Sequence, residues 1–249
     1  MTRELSLTII VPCLNEEANI DELVRRTLHA LAAQGVDAEL LLVDDGSRDG
    51  TRAAIAAAAR THPQVRGLFH DDNRGIAEAW RTGLAAARGS IVCITDADLQ
   101  YSPDDIPRLY QQLLKGAADV VQGWRSGRDY PDQYRYGLSV AFSALLNVLL
   151  GTRLRDVKSG FLCARRETFR AMLATRFRYR YFQHFLVVNG VSKGFRVHQE
   201  SVTFRRRAGG ESFIASPLRF AVAALADLPR AFWEFRVLNR RRRTSRCAG

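Results

Sequence analysis

Four short apolar runs, each followed by a helical pattern, constrain the first half of this 249-residue chain more than any other feature. The runs lie at residues 5–11, 39–43, 65–69 and 91–95, with a fifth at 120–122. Helical patterns fall between them, at about 17–34, 50–60, 75–88 and 104–115. Parallel neighbours need a crossover, and strand-then-helix units supply one. The pattern therefore predicts an α/β fold, a mostly parallel sheet with helices on both faces. Start signals agree: Asn15-Glu16-Glu17 and Pro103-Asp104-Asp105 place acids or proline in a first helical turn. Such sheets bind ligands outside the carboxyl ends of their strands. That singles out residues 12–16, 44–50, 71–75, 96–100 and 123–125.

The second half loses this rhythm. A helical stretch at 134–150 is followed by a loop, a short strand near 161–164, helices at 166–174 and 181–190, and a strand at 195–204. A basic, Gly-rich segment (RRRAGGES) leads to an amphipathic stretch, 217–239, which ends in Arg240, Arg241, Arg242 and Arg243. No repeat or linker divides the chain, so one domain with a specialised C-terminal part is expected. The longest near-continuous apolar stretch, 138–150, falls short of the ~18–20 residues that span a bilayer. The start, MTRELSLTIIVP, runs directly into a strand pattern, unlike a signal peptide. Cys13, Cys93, Cys163 and Cys247 show no metal-ligand spacing and read as reduced thiols of a cytosolic protein.

Charge separates the two halves. Residues 1–124 carry 12 basic and 18 acidic side chains, hence −6; residues 125–249 carry 25 and 8, hence +17. The total of +11 therefore hides a basic half that needs an anionic counterpart. Nucleic acid is one candidate, but no nucleic-acid motif accompanies the charge.

Two acidic strand-end clusters carry the chemistry. Asp96 and Asp98 follow the run SIVCIT. On an extended backbone, i and i+2 side chains share a side, so the carboxylates converge, and Gln100 continues the phase. Hard oxygen donors in a cleft suit Mg²⁺ or Mn²⁺, with substrate phosphates completing the shell. The competing reading is a helix cap in a solvated loop. Asp44-Asp45-Gly46-Ser47 follows the run LLLV. It suits either hydrogen bonding to a nucleoside or ordinary turn chemistry, and the sequence leaves both open. There is no phosphate-loop motif and no G-x-G-x-x-G after the first strand, so kinase, NTPase and dehydrogenase readings lose their support.

Seven stretches occur in order over about residues 5–213: IIVPCLNEEANI (9–20), VDDGSRDGT (43–51), NRGIAEAWRTGL (73–84), DADLQYSP (96–103), GWR (123–125), DVKSGF (156–161) and FRRRAGGES (204–212). Together they resemble family 2 glycosyltransferases of the GT-A (Rossmann-like) fold, and within them the dolichyl-phosphate mannose synthase group of polyprenyl-phosphate glycosyltransferases. The resemblance implies that Pro12, Leu14, Glu16, Val43 and Asp45 hold the nucleotide of a sugar donor. It places Asp96, Ala97 and Asp98 at the metal and diphosphate, with Gln100 as a further metal ligand. Arg125 and Arg207 match basic residues near the phosphates, and Gly210-Glu211-Ser212 matches a loop that closes over the donor. One departure stands out: relatives usually have Lys after that Ser, where this chain has Phe213. Arg205, Arg206 or Arg207 then takes over the role, or the donor differs.

The expected reaction is inverting, metal-dependent transfer of a hexose from a nucleotide sugar, of GDP-mannose or UDP-glucose type, to a polyprenyl (dolichyl or undecaprenyl) phosphate. Transfer to a hydroxyl normally uses a general base. The QxxRW motif and preceding acid of hydroxyl-glycosylating relatives are missing here. A phosphate acceptor is already ionised and needs cations instead; Asp98, Arg125, Arg135 and Arg207 are the candidate catalytic groups. The alternative is a GT-A enzyme acting on a hydroxyl of a soluble or glycan acceptor. Residues 1–213 form the expected catalytic domain, with a donor half (1–124) and an acceptor half (125–213); 214–249 is a basic amphipathic tail. Expected partners are the nucleotide sugar, the lipid phosphate and a membrane surface, without nucleic acid; the oligomeric state is not legible. The tail suits peripheral attachment to the cytoplasmic face of a membrane. Residues 138–150, with Ser139, Ser143 and Asn147 on one stripe, suit either that interface or burial.

Overall fold

The computed structural model describes residues 6–126, 133–205 and 226–239. Arg206, Arg207, Gly210-Glu211-Ser212, Phe213, Arg240–Arg243, Cys247 and the Arg135 side chain lie outside the described residues.

The first half folds as its rhythm predicts. β1 (Leu7–Cys13), α1 (Glu17–Ala33), β2 (Ala38–Asp45), α2 (Thr51–Thr61), β3 (Val65–His70), α3 (Ile76–Ala86), β4 (Ile91–Ile94) and α4 (Ile106–Leu114) alternate in order. β5 (Val120–Arg125), α5 (Gln133–Leu150), β6 (Leu162–Arg165), α6 (Arg166–Leu173), α7 (Leu186–Ser192) and β7 (Val197–Val202) follow. α8 (Leu228–Ala231) continues as a wider π-helical stretch, Phe232–Leu238.

The seven strands form one sheet in the order β3-β2-β1-β4-β6-β5-β7. β6 runs antiparallel to both its neighbours, β4 and β5; every other pairing is parallel. A four-residue apolar run carries no signal of direction, so this reversed strand was not legible in the sequence. The carboxyl ends of the six remaining strands share one edge.

Alternation along each strand builds two cores. Ile9, Val11, Leu40, Leu42, Cys93 and Cys163 face α1, α2 and α4, while Ile10, Leu41, Val43, Val92, Ile94 and Leu162 face the side of α3, α6 and α7. Cys93 stands directly opposite Cys163 across β4 and β6, and these two and Cys13 are buried free thiols. Burial, with Glu16 and Asp44 close by, pushes the Cys13 thiol well above its ordinary range, so it is no nucleophile.

The amphipathic C-terminal stretch is described only over residues 226–239, where Ala231, Glu234 and Phe235 are buried against the body while Phe232 and Trp233 are exposed. Among the described residues no helix is long and apolar enough to cross a membrane.

Candidate active site

The loops after β1 and β2 are stitched together by side chains that accept backbone N–H groups. Asn15 donates its N–H to Ser47 Oγ (2.9 Å), and Arg48 donates to Asn15 Oδ1 (2.9 Å). Glu17 Oε2 accepts Gly50 N–H, while Asp49 accepts Glu17 N–H and Thr51 N–H. The orphan donors at the starts of α1 and α2 are thus satisfied reciprocally. Glu16 is buried, accepts the Asn19 amide at 2.6 Å and donates its N–H to Thr51 Oγ1. Pro12 and Leu14 stay half-exposed at this edge; Val43 is fully buried, leaving only its backbone for a ligand.

Asp45 organises the next loop. Its oxygens accept Arg74 N–H (2.9 Å), Gly75 N–H (2.8 Å) and the His70 ring at 2.7 Å. A carboxylate only accepts, so His70 Nδ1 donates to Asp45, while His70 Nε2 lies 2.9 Å from Thr82 Oγ1. These contacts show the turn chemistry and leave the nucleoside reading untested. Gly46 has φ +77° and its missing Cβ would lie 2.5 Å from the Asp72 backbone, so only glycine lets the β2 and β3 loops meet.

The Asp96–Gln100 segment is a turn, not an extended continuation of β4. The strand ends at Ile94, a turn covers Ala97 and Asp98, and buried Leu99 has φ +58°. The i, i+2 argument therefore rested on the wrong backbone. A left-handed leucine costs on the order of 1–2 kcal/mol, and such outliers concentrate where geometry serves a site. Asp98 Oδ1 accepts Gln100 N–H (3.1 Å). The Gln100 amide points away from the pair, donating to Arg205 O at 3.2 Å. Arg205 N–H returns a bond to Gln100 O (2.8 Å), and Tyr101 bridges Phe204. The turn is thus zipped to the chain leaving β7, directly before the segment that contains Arg207.

Half-buried Asp96 and buried Asp98 are hard oxygen donors on one tight turn. Among the described residues no cluster of three or more His, Cys, Asp or Glu is arranged to hold a metal. Two carboxylates suit an Mg²⁺- or Mn²⁺-sized ion that keeps water or phosphate ligands, not a closed structural site.

Beside this turn lies a cationic crevice lined by Arg125, Tyr136, Ser139, Val140, Ser143, Arg155 and Asp156. Arg125 forks onto Asp156, Nε to Oδ2 at 2.6 Å and Nη2 to Oδ1 at 2.9 Å, and lies over the Phe204 ring at 5.2 Å. Burial resists ionisation of Asp156, but the Arg125 charge and hydrogen bonds from Arg125 and Lys158 outweigh it and hold the carboxyl below its ordinary value. Asp156 and Ser159, both in the DVKSGF stretch, had no role assigned from sequence. Ser159 accepts the Tyr101 hydroxyl (3.1 Å), and its carbonyl accepts the Gln122 amide (2.9 Å). Burial pushes the Tyr101 phenol well up; Arg125 opposes this, while Asp156 and Asp96 add to it. The fields of acidic turn and cationic crevice therefore meet at this one buried hydroxyl.

α5 closes the crevice and has two faces. Ser139, Ser143, Leu146 and Leu150 point inward, while Leu138, Ala141, Leu145 and Val148 form an exposed apolar stripe with Tyr134 at its start. Asn147 ties the helix to the loop before β6 through Leu154 and Thr152. The helix is thus buried along one face and exposed along the other.

Comparison with known proteins fits this geometry. Residues 8–177 match the model of glycosyl transferase family 2. An undecaprenyl-phosphate 4-deoxy-4-formamido-L-arabinose transferase from Pseudomonas aeruginosa is 34% identical over 211 residues, 83% of this chain and 59% of that protein. A dodecaprenyl-phosphate galacturonate synthase from Rhizobium johnstonii is 29% identical, over 84% of this chain and 62% of its own length. The chain thus spans about 60% of the length of these curated relatives. Glucosyl-3-phosphoglycerate synthase from Mycobacterium tuberculosis, solved with Mn²⁺ and UDP-glucose, superposes with TM-score 0.67 at 26% identity, covering 90% of this chain and 78% of that one. A mannosyltransferase from Pyrobaculum calidifontis, solved with GDP-Man and Mn²⁺, has TM-score 0.66 at 24% identity, covering 92% and 65%. With the family match running from β1 past α6, the chain belongs to glycosyl transferase family 2.

Proposed function

We propose that this chain transfers a hexose, with inversion, from a nucleotide sugar to a polyprenyl phosphate. The observation that carries this reading is the chemistry of the crevice. Among the described residues that line it, the only carboxylate is Asp156, gripped by Arg125 and held ionised. A carboxylate with a lowered pKa is a weak base, ill-suited to taking a proton from an acceptor hydroxyl. An acceptor phosphate needs no base. It needs the cation field that Arg125 and Arg155 supply, and Ser139 and Ser143 offer hydroxyl donors beside them. The prenyl-phosphate transferase names of the Pseudomonas and Rhizobium relatives support the acceptor class, and the Mn²⁺–nucleotide-sugar complexes of the structural neighbours support the donor class.

In this reading the stitched loops after β1, β2 and β3 hold the nucleotide, with Pro12, Leu14, Glu16, the Val43 backbone and Asp45 around it. Asp96 and Asp98 would hold a divalent ion, with Ala97 keeping the turn tight and Gln100 joining the set only if its amide turns from Arg205. The ion, when bound, would neutralise the leaving diphosphate. Arg125, Arg135 and Arg207 offset repulsion between two phosphates that approach each other; positioning and electrostatics carry the rate. A phosphate oxygen of the acceptor attacks the anomeric carbon as the bond to the diphosphate breaks. Residues 1–124 form the donor half, 125–213 the acceptor half and 214–249 the tail; the line at 124/125 runs through β5, so the halves share one sheet. In this reading the apolar stripe of α5 lies against the prenyl chain or the cytoplasmic lipid leaflet, and the enzyme attaches peripherally to the cytoplasmic face of a membrane.

The test is a matrix of nucleotide sugars and acceptors with Mn²⁺ and with EDTA. The expected result is transfer to a short polyprenyl phosphate that EDTA abolishes. Transfer to a free sugar or glycan hydroxyl, without transfer to the phosphate, would sink this reading in favour of a hydroxyl acceptor.

A further inference from the structure

The segment between α6 and α7 carries an unusual strip of charge. Arg176, Arg178 and Arg180 alternate with Phe177 and Tyr179, and the three arginines are exposed while the two aromatics are half-buried. The C-terminal helix enforces this. Glu234, itself buried, accepts Arg176 N–H (2.7 Å), Phe177 N–H (3.3 Å) and the Tyr179 hydroxyl (2.8 Å). Asp227, also buried, accepts Arg180 N–H at 2.7 Å. Tyr179 stacks on Phe235 with centroids 5.5 Å apart and leans on Phe185 at 5.2 Å. Both acids bind the backbone of the strip, so neither neutralises its side chains.

Some arginines elsewhere in the chain stand beside an acid one helical turn earlier. Arg25 pairs with Glu22, Arg81 with Glu78, Arg108 with Asp105 and Arg170 with Glu167, each three residues apart. Among the described residues no such ion pair forms at Arg176, Arg178 or Arg180. The residues preceding Glu234 add Phe232 (44% exposed), Trp233 (53% exposed) and Arg230, which reaches only to 3.9 Å from Asp227. Unmatched guanidinium groups beside exposed Trp and Phe have the composition of a membrane–water interface: rings enter the headgroup layer while charges meet lipid phosphates.

We propose that Arg176, Arg178 and Arg180, with Phe232 and Trp233, form a docking surface for an anionic bilayer, held in shape by Glu234 and Asp227. Charge complementarity selects this occupant. The guanidinium groups of the strip form no ion pair with the two acids that hold its backbone, and the exposed rings of the adjoining helix suit lipid better than a charged protein face. The proposal deepens the prenyl-phosphate reading by naming what the enzyme rests on, yet docking is measurable with neither substrate present.

The experiment is co-sedimentation of the full chain with vesicles of 30% phosphatidylglycerol in phosphatidylcholine, and with pure phosphatidylcholine. The wild type should partition onto the anionic vesicles only, and less so as salt rises. Replacing Arg176, Arg178 and Arg180 together by Gln should weaken partitioning on the order of 100-fold, about fivefold per charge. Replacing all three by Lys should retain most of it, and Trp233→Ser should weaken it several-fold. Equal binding to neutral vesicles, salt-independent binding, or a Gln variant that binds like the wild type would overturn the proposal. So would no vesicle binding, or self-association that the Gln variant abolishes. If the Gln variant fails to fold by circular dichroism, the Lys variant and the salt titration decide by the same criteria. Transfer to a detergent-dispersed short prenyl phosphate, scored in parallel, should be unchanged in the Gln variant. If the wild type shows no transfer while docking persists, the catalytic reading fails and the docking surface stands.

Discussion

The acidic donor edge and the cationic acceptor side use charge in opposite ways. At the donor edge, Asp44, Asp45, Glu17 and Asp49 all accept backbone N–H groups, most of them from neighbouring loops. Their charge is consumed in building loops. On the acceptor side, positive charge is either gripped once, as Arg125 is by Asp156, or left outward, as at Arg176, Arg178 and Arg180. The −6 half thus spends its charge on its own loops, and the +17 half presents a field. A net charge per half is a weak guide to which of these a region does; the partners of each group decide.

The sharpest way to break this contrast is Asp96→Ala. Asp96 is half-buried, so the melting temperature should hold within a few degrees, while transfer should fall on the order of 1,000-fold or more because the leaving diphosphate loses its neutralising ion. Near-normal metal-dependent transfer in a radiolabelled-sugar assay would show that this acid, too, is only scaffolding.

Asp156→Ala probes the opposite side through stability. It leaves Arg125 buried beside Phe204 without its carboxylate, which should cost about 3–5 kcal/mol and lower the melting temperature by about 10 °C. Arg125→Met with Asp156→Leu should recover much of that loss while transfer stays low. If the double variant is as active as the wild type, Arg125 serves the fold alone.

Much of the donor edge was legible because it depends on local pattern. Apolar runs of fixed phase gave β1 to β4, and Gly, Asp and Ser after them marked the turns. The assignment of Asp45 to turn or nucleotide was not legible, because it depends on His70 and Arg74, some 25 to 29 residues away and on another strand's loop. The Asp96–Asp98 geometry was misjudged for a related reason: no residue type announces a leucine in the left-handed region, and its burial holds it there. Asp156 escaped notice as a lone acid in a loop, and only the fold brings it to the end of β5. The reversed β6 and the clamp by Glu234 are likewise products of tertiary packing.

A smaller effect comes from His184, buried against Phe142 and Tyr181. Burial, with Lys158 and Arg125 adding to it, pushes His184 down to about 3, although Asp156 opposes the shift. The unfolded chain takes up a proton near pH 6.5 and the folded chain does not until about pH 3. Stability should therefore fall as pH falls through that window, by at most about 1.4 kcal/mol per unit, or about 2 kcal/mol from pH 6.5 to 5. Urea denaturation at pH 7 and pH 5 measures it, and His184→Phe should flatten the slope. An unchanged slope would mean that the burial of His184 does not set the acid side of the stability profile.

The smallest expected effect on the fold lies on the outer face of α5. Val148 is 79% exposed and Leu138 is 51% exposed, so Leu138→Gln with Val148→Gln should shift stability by no more than about 0.5 kcal/mol. Their exposure is costly only if nothing covers them, and an apolar helical stripe without charge is not a typical solvated face. If the stripe meets the prenyl chain, the double variant should raise KM for a long polyprenyl phosphate several-fold. It should leave KM for the nucleotide sugar and for a short-chain acceptor unchanged. Equal effects on long and short acceptors would move the stripe from lipid contact to support of the Ser139–Ser143 face, and the two sides of α5 would then be one structural unit.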